Sequence, residues 1–439
     1  MNRPATLPHT NEDHDQNYYE ATAGFPLRLP ALRGETETDV CIVGAGFTGL
    51  STAHFLKESG VRVVVLEQRA VGGGASGRNG GQVLPGFFAD MRDVFASTGP
   101  GKGRRLWDLS VDGVGIVRTL IQQYGIACDW QDGGLTTAGT KAEEADLEDL
   151  AAFLQENCGA MREFWDRAKV TEAVGNPSYR RALYDAGAGH FHTLKYVRGL
   201  ARGLTGNGVR IFENTPAQAI STATGKYRIT TPRGVVNATA LVLCGDSYLG
   251  TLVPEIRRKY VVINNSILAT EPLRNPDAVL SCRAAVSENS SSLHFYRKTA
   301  DGRLLFGGGD TVIPGPTNQA TQAKILATLR RNMVKLFPAL KGTAVAHEWS
   351  GSIAVTSSFM PNVGRLRSGI YYANGFSGHG VNLTHVSGKL LADAITKDDK
   401  TYRLFGAVKN MSFPGSGRLD YPLTVLGMWR YRLTRARAN

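Results

Sequence analysis

The sequence predicts an α/β protein in which a domain built on a parallel sheet is interleaved with a second domain. Residues 39–68 have the pattern of a strand, a glycine-rich turn, a helix and a second strand, and such a unit places its two strands parallel in one sheet. The order of strand, glycine-rich turn and helix returns in residues 370–395. Strand-rich stretches at 208–245 and 258–310 lie between these segments, so we expect the chain to cross between the domains more than once.

Size and composition are typical of a globular protein of two or three domains. The chain has 439 residues, of which 42% are hydrophobic and 20% are charged. No stretch approaches the roughly 18 consecutive apolar residues of a membrane span, and the polar N-terminus lacks the apolar centre of a secretory signal. The five cysteines are scattered, odd in number and without CxxC spacing, which argues against a disulfide framework and predicts a cytoplasmic protein.

The net charge of +12 is spread along the chain, and no nucleic-acid-binding motif accompanies it. We therefore interpret it as a solvated basic surface and expect no nucleic-acid partner. The densest basic segment is the tail 428–439, MWRYRLTRARAN. We expect a solvated terminal helix there, with contact to an anionic surface as the alternative.

The first glycine-rich turn has the spacing GxGxxG, formed by Gly44, Gly46 and Gly49. Gly44 permits the tight turn, Gly46 lets the backbone approach a pyrophosphate, and Gly49 lets the helix pack on the strand. The helix then presents free N–H groups to the phosphates. Glu67 ends the second strand, where a carboxylate can accept hydrogen bonds from a ribose and disfavours a 2′-phosphate. The pattern predicts a dinucleotide site, for FAD or NAD.

The loop 72–81, GGGASGRNGG, holds six glycines in ten positions and follows the second strand. Glycine costs conformational entropy on folding, so such a cluster indicates a close approach to the backbone. A chain that passes beneath a ribityl group and a flavin ring has this requirement, which favours FAD; a flexible surface loop is the alternative. The residues that we expect at the cofactor are Ser76, Arg78, Asn79, Gly80 and Gly81.

The second glycine-rich turn, GFSGHG at 375–380, precedes a helix that begins near Val381. The positive end of this helix would point back at the site and stabilise negative charge on a reduced flavin. His379 lies between Gly378 and Gly380. It is either a turn histidine bonded to local backbone or a group close to the flavin, and it is our first candidate for a hydrogen-bond donor at the reacting centre.

These segments, together with GAGHFHTL, FYRKTADGRLLFGGGD, WSGSIAVTSSFMPNVGRL and the tail FPGSGRLDYPLTVLGMWRYRL, resemble the gamma-glutamylputrescine oxidoreductase family. That family belongs to the wider D-amino-acid oxidase and glycine/sarcosine oxidase superfamily of FAD enzymes. The resemblance covers nearly the whole chain from YYEA onward. It implies a Rossmann-like FAD-binding domain, a substrate domain built on an antiparallel sheet, and a flavin at their junction.

The resemblance also implies a set of cofactor-binding residues. Gly44, Gly46 and Gly49 would bind the pyrophosphate, Glu67 the adenosine ribose, Ala217 the adenine and Gly245 the phosphates. Ser76, Arg78, Asn79, Gly80 and Gly81 would line the middle of the cofactor, and Gly378, His379, Gly380 and Asn382 its pyrimidine edge. Ala45, Phe47, Thr48, Gln68, Gln82, Gly351 and Val381 complete the set.

Two positions depart from the pattern of the sarcosine oxidases. Gly351 aligns with the cysteine that tethers their FAD, so we expect non-covalent FAD. Asn382 stands where those enzymes carry a basic residue, which leaves stabilisation of the flavin anion to the helix and backbone. Whether oxygen or another carrier accepts the electrons therefore stays open.

The chemistry implied by the resemblance is oxidation of a small-molecule amine, gamma-glutamylputrescine or a related compound. Hydride passes from the carbon next to nitrogen to the flavin, and the imine is hydrolysed to an aldehyde or a keto acid. No side-chain base is obligatory. His190 and His192 are candidates for orienting the substrate, and Tyr296 and Trp349 for walls of its channel. Structural histidines and aromatic core packing are the alternatives, and we expect no metal.

Other functions remain open at this point. They are an FAD enzyme of an N-substituted or D-amino acid such as glycine, sarcosine or an opine, an NAD-dependent dehydrogenase, and a non-catalytic flavin-binding scaffold. Oligomeric state is not predicted. We assign 1–37 to an irregular N-terminal arm, 38–95, 186–250 and 341–398 to the FAD-binding domain, 96–185 and 251–340 to the substrate domain, and 399–439 to a C-terminal tail.

Overall fold

The computed structural model describes residues 17–24, 27–223, 225–290, 292–308, 313–314 and 319–413. The basic tail 428–439 and the FPG segment after Phe413 lie outside the described residues. No helix in the described ranges is both long enough and apolar enough to cross a membrane.

The described chain alternates between helices and strands. In order, the strands are β1 Gly34–Val43, β2 Val63–Leu66, β3 Gln82–Val83, β4 Gln131–Ala138, β5 Glu163–Trp165, β6 Arg181–His190, β7 Arg210–Phe212, β8 Ala219–Ala223, β9 Lys226–Thr230, β10 Gly234–Leu243, β11 Tyr260–Thr270, β12 Ala285–Glu288, β13 Phe295–Lys298, β14 Leu304–Gly307, β15 Ile313–Pro314, β16 Val345–Thr356, β17 Asn362–Arg365 and β18 Tyr371–Asn374. The helices are α1 Tyr18–Thr22, α2 Phe47–Glu58, α3 Met91–Thr98, α4 Pro100–Gln123, α5 Lys141–Cys158, α6 Arg167–Val174, α7 Thr193–Gly206, α8 Pro254–Arg257, α9 Gln319–Leu336 and α10 Val381–Lys397.

The first sheet has the order β17-β18-β10-β1-β2-β7, with β9 and β8 added beside β10. The pairs β18–β10, β10–β1, β1–β2 and β2–β7 are parallel. All four residues of β2 are buried, as expected for a central parallel strand with both faces covered. Helices α2 and α10 pack together closely at Gly388 of α10. A Cβ atom added to Gly388 would lie 2.7 Å from the backbone nitrogen of Thr52 in α2, so only glycine permits this approach.

The second sheet has the order β15-β11-β14-β13-β12-β4-β6-β3, with β16 paired to β11 and β5 to β6. Its pairs are antiparallel except for β12–β4. A parallel-sheet unit interleaved with a largely antiparallel sheet confirms the predicted fold class.

The chain crosses between the sheets several times. The segment 341–398 supplies β16 to the second sheet and β17 and β18 to the first. The short strand β3, within 38–95, joins the second sheet, and β6 runs continuously across residue 186. Strands from both sheets therefore meet along one boundary.

The described part of the N-terminal arm contains a short helix, although the sequence predicts an irregular segment. Asn17 caps the five-residue helix α1 by accepting a hydrogen bond from the N–H of Tyr19. Tyr18 and Tyr19 are both buried against the body of the protein. The burial of these two aromatic rings fixes a helix that is too short to be stable alone.

Candidate functional site

A cavity of about 1780 Å³ lies along the boundary between the two sheets and reaches both glycine-rich turns. This volume exceeds the about 300–1,000 Å³ of ordinary small-molecule pockets, so a dinucleotide and a second ligand can be accommodated together. The predicted cofactor residues that line it are Gly44, Gly46, Phe47, Thr48, Glu67, Gln68, Ser76, Arg78, Asn79, Gly80, Gln82, Ala217, Gly245, Gly351, Gly378, His379, Gly380, Val381 and Asn382. Ala45, Gly49 and Gly81 lie behind this lining.

The first glycine-rich turn is shaped by contacts within the protein. Gly44 has φ +109°, and a Cβ there would lie 2.6 Å from the carbonyl oxygen of Cys244. A Cβ at Gly49 would lie 1.9 Å from the carbonyl oxygen of Gly44. Gly46 is the N-cap residue of α2 and has no side chain that could cap the helix, and it lines the cavity together with Phe47 and Thr48.

The hydroxyl of Ser76 reaches the N-terminus of α2. Its Oγ accepts a hydrogen bond from the N–H of Phe47 at 2.9 Å. A Cβ at Gly46 would lie 2.7 Å from the same oxygen, so the glycine makes room for this contact. The loop 72–81 and the first turn therefore form one continuous wall, rich in hydrogen-bond donors.

Glu67 connects the first turn to the end of β2. One carboxylate oxygen accepts the N–H of Ala45 at 2.8 Å, and the other accepts the N–H of Arg69 at 2.9 Å. Burial raises the pKa of the Glu67 carboxyl, and these two N–H groups oppose the rise. The side chain still lines the cavity, and each oxygen keeps a lone pair for a ligand hydroxyl.

The glycines of the loop 72–81 are required by neighbouring protein atoms. A Cβ at Gly77 would lie 2.2 Å from the carbonyl oxygen of Gly72, and one at Gly81, where φ is +81°, would lie 2.2 Å from that of Phe191. A Cβ at Gly80 would lie 2.8 Å from a ring carbon of Phe295. Gly80 thus lines the cavity on one side and packs on the protein on the other.

Three successive backbone carbonyls of this loop, those of residues 78–80, are each held by a donor from a different element. They accept hydrogen bonds from the indole of Trp349 at 2.8 Å, the hydroxyl of Tyr19 at 2.7 Å and Nε of Arg297 at 2.7 Å. Arg297 also donates to the hydroxyl oxygen of Tyr19 at 3.1 Å. We call Tyr19, Arg297 and Trp349 the carbonyl clamp.

The carbonyl clamp determines which way the loop peptides face. In a trans peptide the N–H points opposite to the C=O, so the N–H groups of Asn79 and Gly80 point away from Trp349 and Tyr19, which hold the carbonyls, and both residues line the cavity. The N–H of Gly81 is taken by Oδ1 of Asn79 at 2.9 Å. The guanidinium of Arg78 donates through Nε to the carbonyl of Ser350 at 2.6 Å. The loop thus presents backbone donors to a ligand.

The second glycine-rich turn places another helix N-terminus at the cavity. Gly380 is the N-cap residue of α10, and no side chain caps that helix. Asn382, in the first turn, donates through Nδ2 to the carbonyl of Ser110 at 3.0 Å. Its buried Oδ1 has no partner among the described residues. The donors that α10 presents to the cavity are therefore backbone N–H groups.

His379 contacts the backbone of a distant part of the chain, and this contact fixes its tautomer. Its Nε2 lies 3.0 Å from the carbonyl oxygen of Leu84 and must carry the proton, because a carbonyl can only accept. Burial lowers the pKa of the His379 imidazole, despite the opposing effect of this hydrogen bond. The neutral ring thus uses its single N–H on Leu84 and keeps Nδ1 as an acceptor, whereas the sequence predicts a donor to the flavin or substrate.

His190 and His192, the predicted substrate pair, do not line the cavity. His190 donates through Nε2 to the carbonyl of Arg283 at 2.8 Å. His192 is the N-cap residue of α7, and its Nδ1 accepts the N–H of Lys195 at 3.2 Å. Burial lowers the pKa of each imidazole to about 3. These contacts support the structural alternative for both histidines.

Tyr296 and Trp349, the predicted channel walls, also lie outside the cavity lining. Both are fully buried. The hydroxyl of Tyr296 donates to that of Tyr179 at 3.0 Å, while Trp349 belongs to the carbonyl clamp. Trp349 is therefore placed to support the loop rather than to contact a substrate.

Two polar pairs in or beside strands of the second sheet line the cavity and were missed in the sequence. Arg162 donates through Nε to Asp185 at 3.0 Å, and Glu288 contacts Nδ1 of His294 at 2.8 Å. The acid within the strand segment YDAGAGH was a usable signal for Asp185. The partners come from separate elements, and no local motif joins them.

Comparison with known proteins gives a consistent result. The family described as FAD dependent oxidoreductase matches residues 39–394. The gamma-glutamylputrescine oxidoreductase of Escherichia coli is 34% identical over 424 residues, covering 96% of this chain and 98% of that protein. A probable oxidoreductase, OrdL, of Haemophilus influenzae is 33% identical over 428 residues, covering 96% and 97%.

Solved structures share the fold. Glycine oxidase from Geobacillus kaustophilus has a TM-score of 0.71 at 21% identity, over 83% of this chain and 96% of that one. L-proline dehydrogenase from P. horikoshii has a TM-score of 0.70 at 20% identity, over 85% and 98%.

Proposed function

Because the chain belongs to the FAD-dependent oxidoreductase family, we propose that it oxidises a carbon–nitrogen bond of gamma-glutamylputrescine or a related amine, with FAD as oxidant. The observation that carries the proposal is the single cavity that joins both glycine-rich turns to charged groups of the second sheet. Such a cavity gives a long cofactor and a polar substrate one common space. The relative named gamma-glutamylputrescine oxidoreductase, similar over nearly its whole length, supports this substrate class.

The described residues fit FAD. The N-terminus of α2, whose first N–H is held by Ser76, can bind the pyrophosphate through the N–H groups that follow, and Glu67 can accept from the adenosine ribose. Farther along the cavity, the N–H groups of Asn79 and Gly80 suit the middle of the cofactor. The uncapped N-terminus of α10 suits an electron-rich flavin edge, because the helix dipole favours negative charge there.

Bound FAD would supply the two-electron acceptor, and the protein positions the substrate around it. The apolar side chains of Phe87, Phe88 and Phe376 line the cavity and make part of its wall apolar. The neutral imidazole of His379 offers Nδ1 as an acceptor for a substrate N–H. The substrate leaves oxidised by two electrons, as an imine that water converts to an aldehyde or a keto acid.

We propose that FAD is bound without a covalent bond. Gly351 lines the cavity at the position where a tethering cysteine would stand. Because glycine has no side chain, this position offers no thiol for a covalent bond to FAD. Acid precipitation should therefore release all flavin into the supernatant. Flavin that stays with the precipitated protein would contradict this part of the proposal.

An N-substituted or D-amino acid is the alternative substrate. A curated relative, glycine oxidase of Bacillus licheniformis, is 24% identical over 373 residues. The pair Arg162–Asp185 gives this alternative a structural basis, since it presents one charge of each sign to the cavity. We also propose a cytoplasmic location, and oxygen or another carrier as the electron acceptor.

The proposed function is tested by product analysis. Purified protein supplied with FAD and an artificial electron acceptor is incubated with gamma-glutamylputrescine, putrescine, glycine, sarcosine and a set of D-amino acids. We expect an aldehyde and ammonia from gamma-glutamylputrescine. A keto acid or glyoxylate from an amino acid, with no product from gamma-glutamylputrescine, would support an N-substituted or D-amino acid as the substrate instead.

A further inference from the structure

The ion pair Arg162–Asp185 stands in the wall of the cavity rather than in the protein interior. Nε and a terminal nitrogen of Arg162 contact the same oxygen, Oδ2 of Asp185, at 3.0 and 2.9 Å. The side chains keep 13% and 20% of their exposure, so both remain reachable from the cavity. The ring of Trp107 lies behind the guanidinium, 5.4 Å away from it.

The pair lies close to the second glycine-rich turn. Asp185 of β6 stands opposite Gly134 of β4. A Cβ at Gly134 would lie 2.9 Å from the side chain of Leu84, whose carbonyl accepts the hydrogen bond from His379. The charge of Arg162 also contributes to lowering the pKa of the His379 imidazole. The pair is therefore at the end of the cavity where His379 and α10 meet the second sheet.

The guanidinium of this pair has hydrogen-bonding capacity to spare. Among the described residues, Arg162 has no hydrogen-bond acceptor besides Asp185, and its side chain lines the cavity. Oδ1 of Asp185 accepts one N–H, from Gly187 at 2.9 Å. The carboxylates of Asp185 and Glu288 thus each receive three polar contacts, and the guanidinium of Arg162 is what distinguishes the first pair.

We propose that Arg162 and Asp185 form the subsite for an α-ammonium, α-carboxylate head group. The proposal rests on the function proposed above and names the part of the substrate that this wall recognises. The substrate carboxylate contacts the free N–H groups of the guanidinium, and the substrate ammonium contacts the carboxylate of Asp185. Four charges of alternating sign then attract one another, and guanidinium–carboxylate contacts are among the stronger hydrogen bonds.

Two sources supply this head group. One is the glutamyl end of a gamma-glutamylated amine, and the other is a free amino acid whose own carbon–nitrogen bond is oxidised. Three probes without a distal amine isolate the head group. Gamma-glutamylethylamide carries both charges, glutaric acid monoethylamide carries the carboxylate alone, and 4-aminobutanoic acid ethylamide carries the ammonium alone.

Binding of each probe to the FAD-loaded protein is measured by calorimetry and by the perturbation of the flavin spectrum. We expect Arg162→Gln to weaken binding of the two carboxylate-bearing probes about tenfold or more and to leave the ammonium probe unchanged. We expect Asp185→Asn to weaken the two ammonium-bearing probes and to spare the carboxylate probe. A merely structural role would weaken all three probes together.

The matched control is Arg180→Gln, which breaks a partly exposed arginine–glutamate pair, Arg180–Glu144, away from the cavity lining. It should change no probe affinity. Equal loss for all three probes in Arg162→Gln and Asp185→Asn, or no binding of gamma-glutamylethylamide to the wild-type protein, would overturn the subsite. Flavin reduction distinguishes the two sources of the head group. Gamma-glutamylputrescine reduces the flavin if the source is a gamma-glutamylated amine, and a free amino acid reduces it if the source is that amino acid. If neither does, the proposed function fails while the probe pattern still decides the subsite.

Discussion

The carbonyl clamp makes a sharp prediction about Tyr19, a residue of the N-terminal helix that does not line the cavity. Tyr19→Phe keeps the buried ring but removes the hydroxyl that donates to the carbonyl of Asn79 at 2.7 Å and accepts from Arg297 at 3.1 Å. Tyr19 is completely buried, so water does not replace the lost donor. A buried group left without its partner costs about 1–3 kcal/mol.

This cost falls on the loop conformation in which the N–H groups of Asn79 and Gly80 point away from Trp349 and Tyr19. If FAD binds that conformation, the dissociation constant for FAD rises by about 5- to 150-fold, the equivalent of about 1–3 kcal/mol. The assay is a fluorescence or calorimetric titration of apoprotein with FAD. The far-ultraviolet circular dichroism spectrum of each apoprotein checks that binding, rather than folding, has changed.

The matched control is Tyr18→Phe in the same helix. The hydroxyl of Tyr18 donates to Asp301 at 2.9 Å and makes no contact with the loop. Both variants should destabilise the packing of α1, but only Tyr19→Phe should weaken FAD. Wild-type FAD affinity in Tyr19→Phe, or an equal loss in both variants, would refute the reasoning.

Three further predictions follow from the same contacts. Gly49→Val should lose flavin and lower the melting temperature, because its Cβ would lie 1.9 Å from a carbonyl oxygen of the turn; full flavin content would contradict this packing. Gly81→Ala should destabilise more than Gly80→Ala in urea unfolding, since Gly81 has φ +81° and faces a rigid backbone oxygen at 2.2 Å, whereas Gly80 faces a ring that can move. The free energy of unfolding should fall as the pH drops below 6.5, because His190 and His192, with pKa about 3 when folded, bind protons only after unfolding. The slope is about 1.4 kcal/mol per pH unit for each histidine, and His190→Gln should flatten it.

Much of the first turn could be predicted from the sequence because its determinants are local. Gly44, Gly46 and Gly49 lie within six residues, and Gly49 is required by the carbonyl oxygen of Gly44 in the same strand–turn–helix unit. Glu67 follows at the end of the next strand. Short-range geometry of this kind is the same wherever the motif occurs, so the sequence alone indicates it.

The contributions of Trp349 and Asp185 could not be predicted in the same way. In the sequence, a tryptophan such as Trp349 fits a core position as well as a channel wall. Its hydrogen bond to the carbonyl of Arg78 joins residues 271 positions apart. Asp185 and Arg162 meet through the pairing of β6 with β5, which the strand patterns alone do not specify. For such residues, tertiary pairing decides which side chains face the cavity.

The most direct test of the central claim is the anaerobic absorbance spectrum of the FAD-loaded protein before and after addition of gamma-glutamylputrescine. The account predicts a flavin spectrum that loses its visible band as the amine is added, with one flavin reduced per equivalent of amine. No flavin band after incubation with FAD, or a band that neither this amine nor any amino acid tested can bleach, would contradict it.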